Sequence, residues 1–247
     1  MTGVPPLLYD AFMNSRAVGP TPVNEPVMSY APGSSERVKF FKRLAELKAK
    51  KTEVPLFIGG MEIRTPRKRE IRSPYDHGQV IGKVHEGGVP EVKKAIAASM
   101  KARKDWSRMP FQARAAIFLK AADLLAGDYR WTLNAATMLG QSKNLHQAEI
   151  DSACELIDFY RFNPHFAQEI YAQQPDSSRG CWNRLQFRPL EGFVYAVTPF
   201  NFTAIAGNLP TAPVLMGNTV VWKPAGTAML SAYWIMKLFE EAGLPPG

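Results

Sequence analysis

Two side chains stand where stretches of uncharged chain run out: Asn201, within Thr198-Pro199-Phe200-Asn201-Phe202-Thr203, and Lys223, near the end of Gly217-Asn218-Thr219-Val220-Val221-Trp222-Lys223-Pro224. An amide held at a strand end donates a hydrogen bond to an oxyanion without adding a charge of its own. The plainer alternatives are a strand-terminal turn former for Asn201 and a solvated strand end for Lys223. The other chemistry-bearing residues offer less. Of the four histidines, His77, His85, His146 and His165, none forms an H-E-x-x-H pair, and His146, with Glu149, lies one helical turn from a carboxylate. Gly78 to Lys83 resembles a phosphate loop but is one residue short and lacks the Ser or Thr that would hold magnesium. Asn201-Phe202-Thr203 is also a glycosylation sequon, which reads as accidental without a secretory leader. The two cysteines, Cys154 and Cys181, are far apart with no C-x-x-C pair, which excludes a disulfide framework and a cysteine-rich zinc site and suits a reducing compartment.

These side chains need elements to position them. Residues 1–35 are rich in Pro, Gly, Ser and Asn and read as an extended arm. A charged helix is predicted over 36–51, a hairpin over 56–64 turning at Gly59-Gly60, and a short strand over 79–84. Val92, Ile96 and Met100 mark an amphipathic helix over 90–106. Helices follow over 112–126, ended by Gly127, over 130–139, and over 145–171, where Pro164 is expected to kink or divide the last. Residues 173–190, around Trp182 and Phe187, suggest a protruding hairpin. Gly192 to Val197 and Asn218 to Trp222 then read as strands, the first suited to burial on both faces, with a crossover helix over 204–216 and a helix over 227–242. The fold class is α/β: N-terminal helices and small strands leading into an incomplete Rossmann-type parallel sheet. The expected organisation is an arm (1–35), a helical part (36–172), the hairpin (173–190) and the first β-α units of the sheet (191–247).

In these motifs the chain resembles the aldehyde dehydrogenase superfamily, whose first cofactor-domain strand ends in Pro, aromatic, Asn, Phe and whose next ends in Lys-Pro. Four further pieces, Phe118 to Asp123, Gln147 to Asp151, Glu155 to Phe159 and Leu190 to Val194, are similar to one branch, the 1-pyrroline-5-carboxylate (L-glutamate γ-semialdehyde) dehydrogenases. The resemblance runs from about Asn24 onward. It implies NAD-dependent oxidation of an aldehyde to a carboxylate through a cysteine thiohemiacetal, with Asn201 as the oxyanion donor. It implies that Val197, Thr198, Pro199 and Phe200 line the cofactor cleft. It implies too that Lys223, followed by Pro224, Ala225 and Gly226, meets the adenosine ribose and that Glu155 and Phe202 border the aldehyde pocket. There are departures too. The third position after the lysine is usually acidic in the superfamily but here is Gly226, and neither cysteine occupies the nucleophile's context. The nucleophile and general base are expected beyond Gly247, so residues 1–247 alone are expected to be inactive. Three readings stay open: an N-terminal part of such an enzyme, a naturally truncated partner of a full-length subunit, and a sibling semialdehyde dehydrogenase.

A net charge of +8 and a pI near 9.5 raise the question of nucleic acid, but much of the charge lies on helix-like patterns and no recognition motif accompanies it. The uncharged run Gly192 to Trp222 is interrupted by Pro199, Pro210 and Pro213, which argues against a membrane span. The expected partner is therefore a small aldehyde, with a homo-oligomer implied for the whole enzyme. Met1 to Pro22 reads as neither a secretory leader nor a clear presequence, with Arg16 its only basic residue. The family nevertheless implies the mitochondrial matrix, with the cytoplasm as the alternative.

Overall fold

Ser34 starts the first helix: its hydroxyl accepts from the Arg37 amide at 3.4 Å and caps α1 (Ser35–Ala49). The computed structural model describes residues 19–247, so the first part of the arm, and the reading of a leader there, lie outside the described residues. The rest of the arm has no helix or strand, but it is strapped to the helices. Asp158 accepts from Asn24 Nδ2 and the Glu25 amide, both at 2.7 Å, and Glu149 accepts from the Met28 amide at 2.9 Å and the Tyr30 hydroxyl at 2.6 Å.

After α1 come β1 (Thr52–Val54), β2 (Leu56–Ile58), β3 (Met61–Ile63), β4 (Lys68–Ser73) and β5 (Asp76–His85). β2 and β3 form the hairpin, and Gly59 and Gly60 adopt φ of 60° and 78°, which glycine enters without a Cβ clash. β5 is longer than the pattern suggested and pairs with β1 in parallel and with β4 in antiparallel. β4 escaped the sequence reading because Lys68, Arg69 and Glu70 are all exposed, so it shows no apolar alternation.

The helices α2 (Val89–Trp106), α3 (Phe111–Leu124), α4 (Arg130–Gln141), α5 (Leu145–Ala148) and α6 (Leu156–Ala172) follow. As expected, the helix that begins with α3 ends at Gly127, whose φ −90°, ψ −128° are non-helical and kink the chain between α3 and α4. One expectation is corrected here. Pro164 lies within α6 without dividing it; the break comes earlier, at the π-helical stretch Glu149–Glu155. That stretch turns the buried carboxylates of Glu149 and Asp151 toward other parts of the molecule, a placement for which wide turns are a common device.

Residues 173–190 contain no strand, contrary to the expected hairpin. The segment doubles back through side chains: Gln174 accepts from the Leu185 amide at 2.8 Å and donates to its carbonyl at 3.3 Å. Beyond it, β6 (Val194–Val197) and β7 (Val220–Lys223) pair in parallel, linked by α7 (Thr203–Leu215), and α8 (Met229–Ala242) ends at Gly243, φ 95°. β6 is not covered on both faces. Ala196 is buried, but Tyr195 and Val197 are 60% and 50% exposed.

The β6–α8 part shares its core with the earlier helices. Phe118 of α3, Tyr160 of α6 and Phe239 of α8 meet edge-to-face with centroids 5.2–6.2 Å apart, and Ala204 and Leu215 of α7 complete the same cluster. Gly207 lets α6 and α7 approach, because a Cβ there would lie 2.7 Å from Leu156 Cδ1 and 2.8 Å from the Tyr160 hydroxyl. A second cluster joins Phe40 of α1, Ile71 and Ile81 of the three-stranded sheet, Leu139 of α4 and Leu230 of α8. The first of these clusters packs the start and end of α7 against α3, α6 and α8.

Candidate active site

Asn201 is exposed on the loop between β6 and α7, and among the described residues its side-chain amide makes no hydrogen bond. The loop is fastened at both ends. At the β6 end, buried Thr198 donates its amide to the Lys223 carbonyl at 3.3 Å, and its hydroxyl accepts from Trp222 Nε1 at 3.0 Å. At the α7 end, the Thr203 and Ala204 amides each donate to the Asp151 carboxylate at 3.0 Å, and the Thr203 hydroxyl meets Thr137 Oγ1 and Gln141 Nε2, both at 2.7 Å. The fully buried Thr203 therefore locks the first turn of α7 onto α4, leaving Asn201 and the half-exposed Phe202 to project. Such a fixed, unengaged amide is what an oxyanion donor requires.

Asp151 was visible in the sequence only as part of a motif, and its role as the cap of α7 was not. The carboxylate accepts from two backbone amides at a helix start and pairs with Lys143, so the positive end of α7 is already neutralised within the protein. A pyrophosphate could not take that position without displacing Asp151, which is the physical counterpart of the missing G-x-G-x-x-G. Lys143 also lies 4.6 Å from the centroid of the Phe202 ring. Glu155, one turn after Asp151, is half-buried. Burial, and then the nearby Asp151 charge, hold its carboxyl above the usual range, with Lys143 pulling the other way. Glu155 and Phe202 thus share one neighbour, Lys143, which sequence reasoning missed because an isolated lysine has no pattern.

Neither cysteine is placed to act as a nucleophile. Cys154 is buried, with its sulfur 3.5 Å from Arg130 Nη2 and 3.6 Å from Glu149, and burial followed by the Glu149 charge pushes its thiol up to about 12. Cys181 lies exposed in the 173–190 segment.

The second group of expected residues collects at the carboxyl ends of the paired strands. Val197 is in register with Lys223, so Thr198, Pro199 and Phe200 leave one strand end beside Pro224, Ala225 and Gly226 leaving the other. Val197, Phe200 and Lys223 are exposed there. Gly226 is not an empty gap. Arg69 of β4 donates from Nη2 to the Gly226 carbonyl at 3.1 Å, and a side-chain carbon at 226 would lie 2.6 Å from that nitrogen.

Residues 62–247 match the model of the aldehyde dehydrogenase family. The chain belongs to the aldehyde dehydrogenase family. Among its relatives is the delta-1-pyrroline-5-carboxylate dehydrogenase of Agaricus bisporus, 54% identical over 226 residues, an alignment covering 91% of this chain and 41% of that protein. The human mitochondrial protein of the same name is 48% identical over 223 residues, covering 90% and 40%. The structure is similar to that of the Mycobacterium tuberculosis delta-pyrroline-5-carboxylate dehydrogenase bound with NAD, with a TM-score of 0.93, 52% identity, and coverage of 95% of this chain and 44% of that one. The chain thus spans about two fifths of the length of these aldehyde dehydrogenases. No helix among the described residues is long and apolar enough to cross a membrane.

Proposed function

We propose that the protein carrying this segment oxidises L-glutamate γ-semialdehyde, formed from 1-pyrroline-5-carboxylate, to L-glutamate with NAD, in proline breakdown. The observation that carries this reading is the β6–α7 loop, fastened at Thr198 and Thr203, that leaves the Asn201 amide projecting and unengaged. The names of the relatives supply the substrate, and the NAD-bound neighbour supplies the cofactor.

In this reading the aldehyde carbon becomes tetrahedral when a thiolate adds to it, and Asn201 donates its N–H to the oxygen as that oxygen gains charge. Phe202 supplies an apolar wall to the pocket. Glu155, whose charged form is disfavoured by burial and by Asp151 when no cation is beside it, accepts from a cationic group of the substrate. NAD, when bound, supplies the hydride acceptor. The exposed strand ends at Val197 and Lys223 fit a dinucleotide lying across them, as ligands do in sheets of this kind, with the Lys223 ammonium on the adenosine ribose. The thiolate comes from a cysteine other than buried Cys154 or exposed Cys181. The mitochondrial matrix as the compartment, and a homo-oligomer engaging residues 173–190, belong to the same proposal.

The test is NADH formation by the full-length protein with glutamate semialdehyde. Asn201→Ala should reduce turnover about 10²- to 10³-fold, the loss expected when one oxyanion donor is removed. Turnover within a factor of two of wild type would remove Asn201 from the mechanism, and turnover lost in Cys154→Ser would contradict its exclusion as nucleophile.

A further inference from the structure

α1 carries two apolar stripes, and the core uses one of them. Phe40 and Leu47 are buried in the second cluster, with Ile71, Leu139 and Leu230. On the opposite side Val38, Phe41, Ala45 and Ala49 follow one another at three- and four-residue spacing, which sets them along a single ridge of the helix, and all four are exposed. Val38 is 65% and Phe41 45% open to solvent. A lone apolar residue on a surface is ordinary, but a ridge of them along one helix is an unpartnered face.

The charge of the chain collects beside that ridge. Residues 36–51 hold seven basic and two acidic side chains, a net +5 out of the +8 of the whole chain. At about 100° of turn per residue, Lys48 lies on one flank of the ridge and Lys42, then Lys39, on the other, with Lys50 and Lys51 just past the helix end. Two of the basic groups serve the fold. Arg37 donates to the Tyr30 carbonyl at 3.1 Å, while Arg43 donates to Thr132 Oγ1 at 2.9 Å and pairs with Glu46 at 2.8 Å, neutralising the acid that lies between Lys42 and Lys39 on the helix surface. The lysines that form ion pairs among the described residues are Lys68, Lys143 and Lys237. The five on α1 and at its end form none, and all five are exposed.

A helix face that is apolar along its crest and cationic on both flanks suits an anionic bilayer, where apolar side chains enter the boundary between headgroups and acyl chains while lysines reach the phosphates. Nucleic acid would take the charge but leave the crest in water, and a second copy docking by the same face would set +5 against +5. We infer that the outer face of α1 docks this protein on an anionic phospholipid surface, with the helix axis in the membrane plane and Val38 and Phe41 entered at headgroup level. Because α1 is already folded against the core through Phe40 and Leu47, docking requires no new folding of the backbone. The face uses no residue of the β6–α7 loop or of the strand ends, so it stands apart from the oxidation proposed above.

The experiment is co-sedimentation of the full-length protein with vesicles of phosphatidylcholine alone and of equal parts phosphatidylcholine and phosphatidylglycerol, at low and high salt. The wild type should bind the anionic vesicles, leave them at high salt, and not bind the neutral ones. Lys42→Gln/Lys48→Gln should weaken the partition about 25-fold, or about fivefold per charge, and Phe41→Ser about threefold to tenfold. Phe41→Trp should bind at least as tightly as the wild type, because an indole suits the interface, and so separates a lost anchor from a damaged helix. Absence of binding by the wild type overturns the inference, as does equal binding to neutral and anionic vesicles. Weakening by the lysine changes with none from Phe41→Ser overturns it too, since charge alone would then adsorb the protein. So does Phe41→Trp binding as weakly as Phe41→Ser. A change of oligomeric state in Phe41→Ser would put a second copy on this face instead of lipid.

Discussion

Replacing Asp151 should damage catalysis without touching any group that contacts the substrate oxygen. Its carboxylate, 4% exposed, accepts from the Thr203 and Ala204 amides at 3.0 Å each and pairs with Lys143. Hydrogen bonds to a charged group contribute about 1.5–3 kcal/mol each, and loss of a helix N-cap costs about 0.5–2 kcal/mol. These figures describe the same atoms and do not add fully, and Lys143 regains some water, so Asp151→Ala should cost about 2–4 kcal/mol in total. Asp151→Asn keeps the volume and one acceptor but turns an N–H toward an N–H, and should lose about half as much. Because the first turn of α7 sets where the loop leaves the protein, Asn201 is displaced, and a misplacement of about 1 Å can reduce turnover about 100-fold. The assay is urea unfolding together with steady-state turnover of the full-length protein for Asp151→Asn, Asn201→Ala and the double variant. If Asp151 acts by positioning Asn201, the double variant turns over no more slowly than Asn201→Ala alone. Additive losses in turnover, or a stability change in Asp151→Asn below about 0.5 kcal/mol, would refute the reasoning.

Three other consequences follow from named contacts. Arg130→Met leaves Glu149, fully buried, without the guanidinium that pairs with it and with Glu25, and should cost about 3–5 kcal/mol in chemical unfolding, with Arg130→Met/Glu149→Gln less severe than the single change. Burial raises the Glu149 carboxyl, but Arg130, the Tyr30 hydroxyl and the Met28 amide outweigh it, so it titrates below its ordinary 4.5 in the folded protein. The stability it contributes is present above that value and is lost as pH falls through its lower folded one, and Glu149→Gln should flatten this acid limb in a series of urea midpoints against pH. Lys223→Ala should raise the KM for NAD with little change in kcat, since a ribose contact is made in ground and transition states alike; an unchanged KM would remove Lys223 from the cofactor edge.

The local elements and the family were legible in the sequence wherever short-range physics dictates them. Gly59-Gly60 forces a turn, Val92, Ile96 and Met100 repeat at helical spacing, and the uncharged runs before Asn201 and Lys223 read as two strands of one sheet, which they are. What stayed hidden depended on residues distant along the chain. β4 has no apolar alternation and exists because β5 pairs with it, and Pro164, ordinarily a helix breaker, lies inside α6. Asn201 could be singled out because Thr198 to Thr203 resembles a family motif, whereas its neighbours alone fit a turn former equally well. That its loop is held by Asp151, Lys143 and Thr137, which precede it by 50 residues or more, required the tertiary structure. So did the meeting of Gly226 with Arg69, 157 residues apart. Sequence order determines what each residue is capable of, but a carboxylate becomes a cap, and a glycine a berth for a guanidinium, only when folding brings the partner within about 3 Å.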